Sequence, residues 1–316
     1  MNVIAPPPAS ALRTEFRRNL VRHTSKSFDW DAFPGSRGYP ELQRAQMRYI
    51  GAGGSPKVNE AGLLKPEHFT LSLIHKPVGN FAACHSHEVE ESFLVISGVL
   101  TVGWERDGEV VEVRLGPKDM ILNAADIGHG FRNDGIEPVL MSISVDAGHP
   151  LPPVYLFHPK NTEPTLARAF GAQPGKTLPH DPEGTHPLQQ VMAPYVIRHA
   201  EQPVLRDAAG FLRQVYVGPG GVASATCRKE LLTVPAGLGV QPYVRAVEDA
   251  FMVLEGSLTV GWDQDGEQVQ ATLGPRDLLL TPAGRLHWFR NDSLAPASVW
   301  HVVGQPGGET VAFRAA

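Results

Sequence analysis

Sliding the 316-residue sequence along itself by 158 positions lays GVLTVGWERDGEVVEVRLGPKDMILN, from Gly98, over GSLTVGWDQDGEQVQATLGPRDLLLT, from Gly256, with 15 of 26 positions identical. Shared strand propensity does not produce identity at that level, so the chain is one structural unit written twice. The same offset carries Gly79 onto Gly237 and Phe131-Arg132-Asn133-Asp134 onto Phe289-Arg290-Asn291-Asp292. Upstream the echo continues at shifted offsets, Tyr49-Ile50-Gly51 against Tyr216-Val217-Gly218 and Arg22-His23 against Arg198-His199. Whatever fold the chain adopts, it has to be assembled from two similar halves.

Each half reads as short strands punctuated by turns. Leu100–Trp104 and Val110–Val113 flank Asp107-Gly108, residues that tolerate the positive φ of a tight hairpin turn. Gly-Pro at 116 and again at 274 marks the next turn. Many short, evenly spaced strands with little helical periodicity predict an all-β sandwich or barrel. Only ALRTEFRRNLV near the N-terminus and TLARAF between the halves look helical. Nine prolines among polar residues in 148–192 predict an extended surface connection, with His149, His158, His180 and His186 solvated along it. The resulting division is an N-terminal arm (1–17), a first domain (18–147), a Pro-rich linker (148–192) and a second domain (193–316).

A net charge of -5 and a pI near 6.2 give no general affinity for nucleic acid or anionic membrane, which leaves a small molecule as the expected partner. MNVIAPPPAS has no basic start followed by an apolar stretch, and no run approaches the roughly 20 apolar residues of a spanning helix, so the cytoplasm is the expected compartment. Cys84 and Cys227 occupy non-equivalent places in the repeat and are expected as reduced thiols. Flat barrel faces and a proline-rich arm predict a homo-oligomer.

The chemistry concentrates in CHSHEVEESFLVISG, Cys84 to Gly98. Side chains alternate along a strand, so His85 and His87 point the same way, and Glu91 shares their parity while Glu88 and Glu90 do not. Phe81 and Phe93 fall on that face too and are expected to line a pocket, whereas Cys84 points away. An unpaired carboxylate in an apolar setting costs several kcal/mol. A divalent metal removes that cost, and imidazoles with one carboxylate suit iron, manganese, nickel, copper or zinc.

Gly79, His85-x-His87, Glu91 and Gly98 reproduce the first motif of the cupin family, G-x5-H-x-H-x3-E-x6-G, at every spacing, and Gly116, His129 and Asn133 resemble the second. Both halves match, so the chain resembles a bicupin: two tandem double-stranded β-helix, or jelly-roll, barrels behind a short helical arm. The resemblance implies one metal held by His85, His87, Glu91 and His129. Two departures stand out. The usual Pro and Gly before the motif-two histidine are Ala124 and Asp126, although the second half keeps Pro282 and Gly284. The second half also places Tyr243, Arg245, Asp249 and His287 at the ligand positions. Arginine has no lone pair for a metal, so the second barrel is predicted to lack a metal site and to hold an Arg245–Asp249 ion pair instead.

A cupin fold does not dictate a reaction. Resemblance to gentisate-type and flavonol-type bicupins implies, as first expectation, an Fe(II)-dependent dioxygenase taking dioxygen and a small hydroxylated aromatic or enolisable diketone, with Glu91 as base. The alternatives are a metal-dependent lyase, decarboxylase or isomerase that uses the metal as Lewis acid, and a non-catalytic ligand-binding bicupin. Two-domain oxalate decarboxylases share the layout but generally keep ligands in both barrels.

Overall fold

The computed structural model describes residues 10–304, together with the backbone of Ala312–Phe313; residues 1–9 of the expected arm lie outside the described residues. The two halves form two β-barrels, each a pair of sheets. In the first barrel one sheet runs in the order Val196–Ile197, Met120–Asn123, Glu91–Ser97, Val139–Val145, Thr70–Lys76, Ala45–Ile50. Its partner sheet runs Val154–Phe157, Phe81–Ser86, Gly128–Arg132, Leu100–Arg106, Glu109–Leu115, Thr177–Pro179. The second barrel repeats this plan with the strands displaced along the chain by the repeat. The Asp107-Gly108 hairpin is present, with φ of 55° and 79° at its two residues. No helix among the described residues is long and apolar enough to cross a membrane.

The barrels pack through the outer faces of two sheets. Leu94, Met120 and Leu122 of the first and Leu231, Met252 and Trp300 of the second share one buried cluster. Phe93 and Val95, one step along the strand, point into the first barrel instead. Glu91–Ser97 is thus covered on both faces, which is why it reads as nearly continuous apolar sequence. A charged link crosses the same interface: Lys229 Nζ lies 2.6 Å from Asp146 Oδ1 and 2.8 Å from Ser92 Oγ, with Lys229 and Asp146 fully buried.

Each barrel also borrows a strand from the chain that precedes the other. Leu20–Val21 pairs with Leu278–Thr281 of the second barrel, and Val196–Ile197 pairs with Met120–Asn123 of the first. The Arg-His pairs that echo in the sequence secure these crossings. Arg22 reaches Asp277 at 2.8 Å and Arg198 reaches Asp119 at 2.9 Å. His23 and His199 meet the hydroxyls of Tyr49 and Tyr216 at 3.1 and 3.0 Å. The N-terminal helix, Ala11–Asn19, is capped by Ser10 Oγ and sets Phe16 edge-on against Trp262, so it covers the second barrel.

The linker is more ordered than its prolines predict. Val154–Phe157 joins one edge of the first barrel's outer sheet and Thr177–Pro179 joins the other, protecting both edges from further pairing. Between them Phe170 lies flat where Gly103 and Gly130 leave room: a Cβ on either glycine would come within 2.1 and 2.6 Å of its ring. Two of the histidines expected to be solvated have structural work. His158 is buried against the Gly35 carbonyl, 2.7 Å from Nε2, and His186 accepts from Leu188 N and faces Glu109 at 2.9 Å.

Candidate metal centre

His85 stands at the end of strand Phe81–Ser86, opposite His129 in the neighbouring strand Gly128–Arg132. His87 follows in the loop, and Glu91 opens the strand Glu91–Ser97. All four side chains are buried, and their ligand atoms lie within 4.8 Å of one another. Glu91 Oε2 is the focus: the Nε2 atoms of His129, His87 and His85 stand 3.0, 3.7 and 3.8 Å from it. Backbone carbonyls orient two of the rings, Ala83 O at 2.8 Å from His85 Nδ1 and Ile127 O at 2.9 Å from His129 Nδ1. Those contacts place the proton on Nδ1 and leave the Nε2 lone pair turned inward, the tautomer a metal requires. Burial by itself would raise the Glu91 carboxyl, but the facing imidazoles of His87, His129 and His85 hold it well below the usual carboxylate range. Burial lowers His85 to about 4, against the pull of Glu91. Three imidazoles around one carboxylate are a donor set that a divalent cation accepts, so the residues fit one.

The altered loop before His129 keeps its shape. Asp126 adopts φ of 62° where Gly284 has 76°, and their amides donate to the carbonyls of His87 and Arg245 at the same 2.8 Å. Aspartate tolerates this left-handed conformation better than most residues, which explains how the glycine could be replaced.

The cluster forms one wall of a cavity of about 750 Å³. Its lining is mostly apolar, including Pro34, Ile74, Phe131, Ile143 and Pro150, and residues of the loop 51–66 and of the start of the linker form part of its wall. Phe81 and Phe93, expected as pocket walls, do not reach it. The Phe81–Ser86 strand carries a bulge between Ala82 and His85, so Ala82 rather than Phe81 shares the face of His85. Phe81 packs outside with Leu42, Ala83 and Ala167. Phe93 does point inward but sits deeper, its ring 5.1 Å from that of Phe131 and 5.9 Å from that of His129. Three lining residues had no signal in the motifs: Phe33 and Arg44 from the segment before the first barrel strand, and Tyr155 from the linker.

At the equivalent place in the second barrel Arg245 Nε reaches Asp249 Oδ2 at 2.8 Å, the expected ion pair. His287 and His301 flank the same carboxylate oxygen at 3.4 and 3.5 Å. His301 in turn meets Glu230 at 2.9 Å, and Glu230 is also paired with Arg213. Burial pushes Asp249 up, but His287, His301 and Arg245 overcome it and hold the carboxyl far below its ordinary value. Since the folded-state value lies below the unfolded one, the unfolded chain binds the extra proton between the two, and the stabilisation is present above the unfolded value and lost as pH falls. The stability gap between the unsubstituted protein and Asp249→Asn, measured by urea unfolding, is therefore expected to narrow as pH drops below about 4. A gap that stays constant from pH 7 to pH 3 would count against this pairing. One other group of potential ligands occurs among the described residues, Glu67, His68 and Glu248, where Glu248 already accepts the backbone N–H groups of Glu67 and His68.

The description "Cupin domain" matches the chain twice, over residues 73–146 and 230–304. Among solved structures the chain resembles a formate complex of Lactobacillus farciminis oxalate decarboxylase, with a TM-score of 0.65 at 12% identity over 95% of this chain and 88% of that one. A variant of Bacillus subtilis oxalate decarboxylase aligns with a TM-score of 0.64 at 14% identity, over 99% of this chain and 88% of that one. A further structure of the Bacillus enzyme, described by its Mn(II) centres, aligns with the same TM-score, identity and shares. At these identities the likeness is one of fold. No protein of curated function matches the sequence. With a cupin domain matched in each half of a duplicated chain, and each half folded as a barrel of the same plan, the protein belongs to the cupin superfamily as a bicupin.

Proposed function

We propose that this bicupin is a metal-dependent lyase that decarboxylates a small organic acid in its first barrel, holding one divalent transition ion through His85, His87, Glu91 and His129. The observation that carries the reading is the convergence of three imidazole Nε2 atoms on Glu91 Oε2 in the wall of the cavity. The decarboxylases that share the fold support the choice of reaction over ring cleavage, and the Mn(II) centres of the Bacillus protein make manganese the first ion to try. When bound, the metal supplies Lewis acidity that stabilises the charge developing on the substrate.

The chain's own groups then divide the work. His85 and His129, pinned through Nδ1 to backbone carbonyls, keep their donor atoms fixed. Glu91 stays ionised, which suits it to ligation and to accepting a proton rather than delivering one. Cleavage leaves the bonding electron pair on the substrate carbon and releases carbon dioxide; a proton from solvent fills the vacated position. The mostly apolar lining gives the reacting bond a less polar setting than bulk water.

A second reading, the dioxygenase first expected from the sequence, draws support from the single ligand set and from the apolar cavity, which suits an aromatic substrate. One experiment separates them. Protein loaded in turn with Mn(II) and Fe(II) is given oxo- and hydroxy-carboxylic acids, gentisate, flavonols and β-diketones while carbon dioxide release and oxygen uptake are followed together. Carbon dioxide release without stoichiometric oxygen uptake, stopped by chelator and restored by metal, is the expected result. Uptake of one oxygen molecule per substrate consumed would replace the lyase by the dioxygenase.

A further inference from the structure

The cavity holds a second chemical device besides the metal cluster. Arg44 is buried, yet its guanidinium lines the cavity with no carboxylate of the described residues at ion-pair distance. Its hydrogen bonds to Ser36 Oγ and Leu42 O are both 3.4 Å, long for a charged donor, and its other hydrogen-bonding neighbour is the Tyr155 hydroxyl, a neutral group. The guanidinium stacks on the ring of Phe33, 3.9 Å from its centroid, with the Tyr155 side chain beside it. Among the described residues Glu91 is the carboxylate that shares the cavity wall nearby, and its Oε2 is already faced by three imidazoles. Lys76, fully enclosed, stands 5.7 Å from the Phe131 ring while Arg44 stands 5.8 Å from the same ring, and burial together with Arg44 holds the Lys76 amine well below its ordinary range, so Arg44 carries the charge here.

A buried arginine without a counter-ion is unfavourable, and one that lines a cavity is placed to receive an anion there. The guanidinium fork, held flat by Phe33, matches a carboxylate through two parallel N–H···O bonds. The rest of the space argues for the remainder of the ligand. About 750 Å³ lies within the roughly 300–1,000 Å³ typical of sites for drug-sized ligands, and it is far more than a two-carbon diacid fills. Pro34, Ile74, Phe131, Ile143 and Pro150 offer such a diacid nothing to pair with.

We propose that Arg44 is the carboxylate anchor of this cavity and that the substrate is an acid with a bulky apolar body of aryl size, rather than a small polar diacid. The proposal deepens the reading of the same site, since the anchored acid presents its reacting group to the His/Glu cluster. It concerns binding alone and stands apart from the reaction that follows.

The test measures binding by calorimetry, with 1-naphthoate, 1-naphthamide and oxalate as probes, on metal-loaded and on chelator-stripped protein. Naphthoate is expected to bind about tenfold to hundredfold more tightly than the uncharged amide, and more tightly than oxalate, with the preference over the amide retained after stripping. Arg44→Gln should remove the preference for naphthoate while leaving the amide within about twofold, and Arg44→Lys should keep part of it. Equal affinity for acid and amide, or oxalate binding as tightly as naphthoate, would overturn the proposal. Should Arg44→Gln fail to fold by circular dichroism, the acid-to-amide ratio on unsubstituted protein still decides. Failure of the metal reading is seen separately, as protein that takes up no ion yet still prefers the acid.

Discussion

His129→Ala protein, stripped with chelator and titrated with Mn(II), is expected to bind the ion at least about a hundredfold more weakly than the unsubstituted protein. Substituting partners of ligating residues typically costs 10–100-fold in affinity, and removing a ligand itself should cost no less. The geometry gives the reason: His129 Nε2 is the donor nearest the Glu91 oxygen, at 3.0 Å, and its ring is already turned inward by Ile127 O. The matching change in the other barrel, His287→Ala, should leave metal stoichiometry at one per chain, because Arg245 keeps a cation away from Asp249 there. Elemental analysis and competition with a chelator of known affinity measure both. Undiminished affinity in His129→Ala, or a loss of metal in His287→Ala, would remove the first-barrel centre from consideration. The experiment needs no substrate and is independent of the reaction assigned to the site.

Lys229→Met should destabilise the fold by about 3–5 kcal/mol, the range for removing one partner of a buried ion pair. Lys229 and Asp146 are both fully buried at 2.6 Å, and the other side-chain contacts of the Asp146 carboxylate among the described residues are neutral hydroxyls, Ser144 Oγ at 3.2 Å and Thr226 Oγ1 at 3.4 Å. Pairing Lys229→Met with Asp146→Leu removes the stranded charge, and most of the loss should return. Denaturant unfolding followed by fluorescence and circular dichroism gives the comparison. A double variant no more stable than Lys229→Met would show that the cost is not one of unpaired charge. The link also bears on the metal centre. Lys229 Nζ holds Ser92, the residue after Glu91, while the amide of Asp146 donates to the carbonyl of Glu90. Ser224 and Thr226 of the second barrel bind the Glu90 carboxylate. The barrel that lacks the full ligand set thereby braces the strand that presents Glu91.

Several features were legible because they obey local rules. The duplication needed only the offset of 158, the hairpins needed Asp-Gly, and His85, His87 and Glu91 were marked by their spacing, although they converge from two strands and the loop between them rather than along one strand face, with His129 added by resemblance. The Arg245–Asp249 pair could be read from residue chemistry alone, since arginine at a ligand position admits few other outcomes. Parity failed at Phe81 because a bulge shifts the strand by one residue, and a bulge leaves no trace in an apolar stretch such as FAAC.

What the sequence by itself determined is therefore the repeated barrel, the place of the four converging side chains and the loss of that set from the second copy. The repeat and the lost ligands depend on residue identity alone, and the four ligands on motif spacing, since the fold brings them together from three strands and a loop. What only the tertiary structure decided is the cavity around them: Phe33 and Arg44 arrive from before the first barrel strand, Tyr155 from the linker, and Lys229 from the other barrel. Such contacts join residues tens to more than a hundred positions apart, and they are chosen by which faces remain uncovered once the sheets have packed. That selection has no period along the chain, so no spacing in the sequence records it.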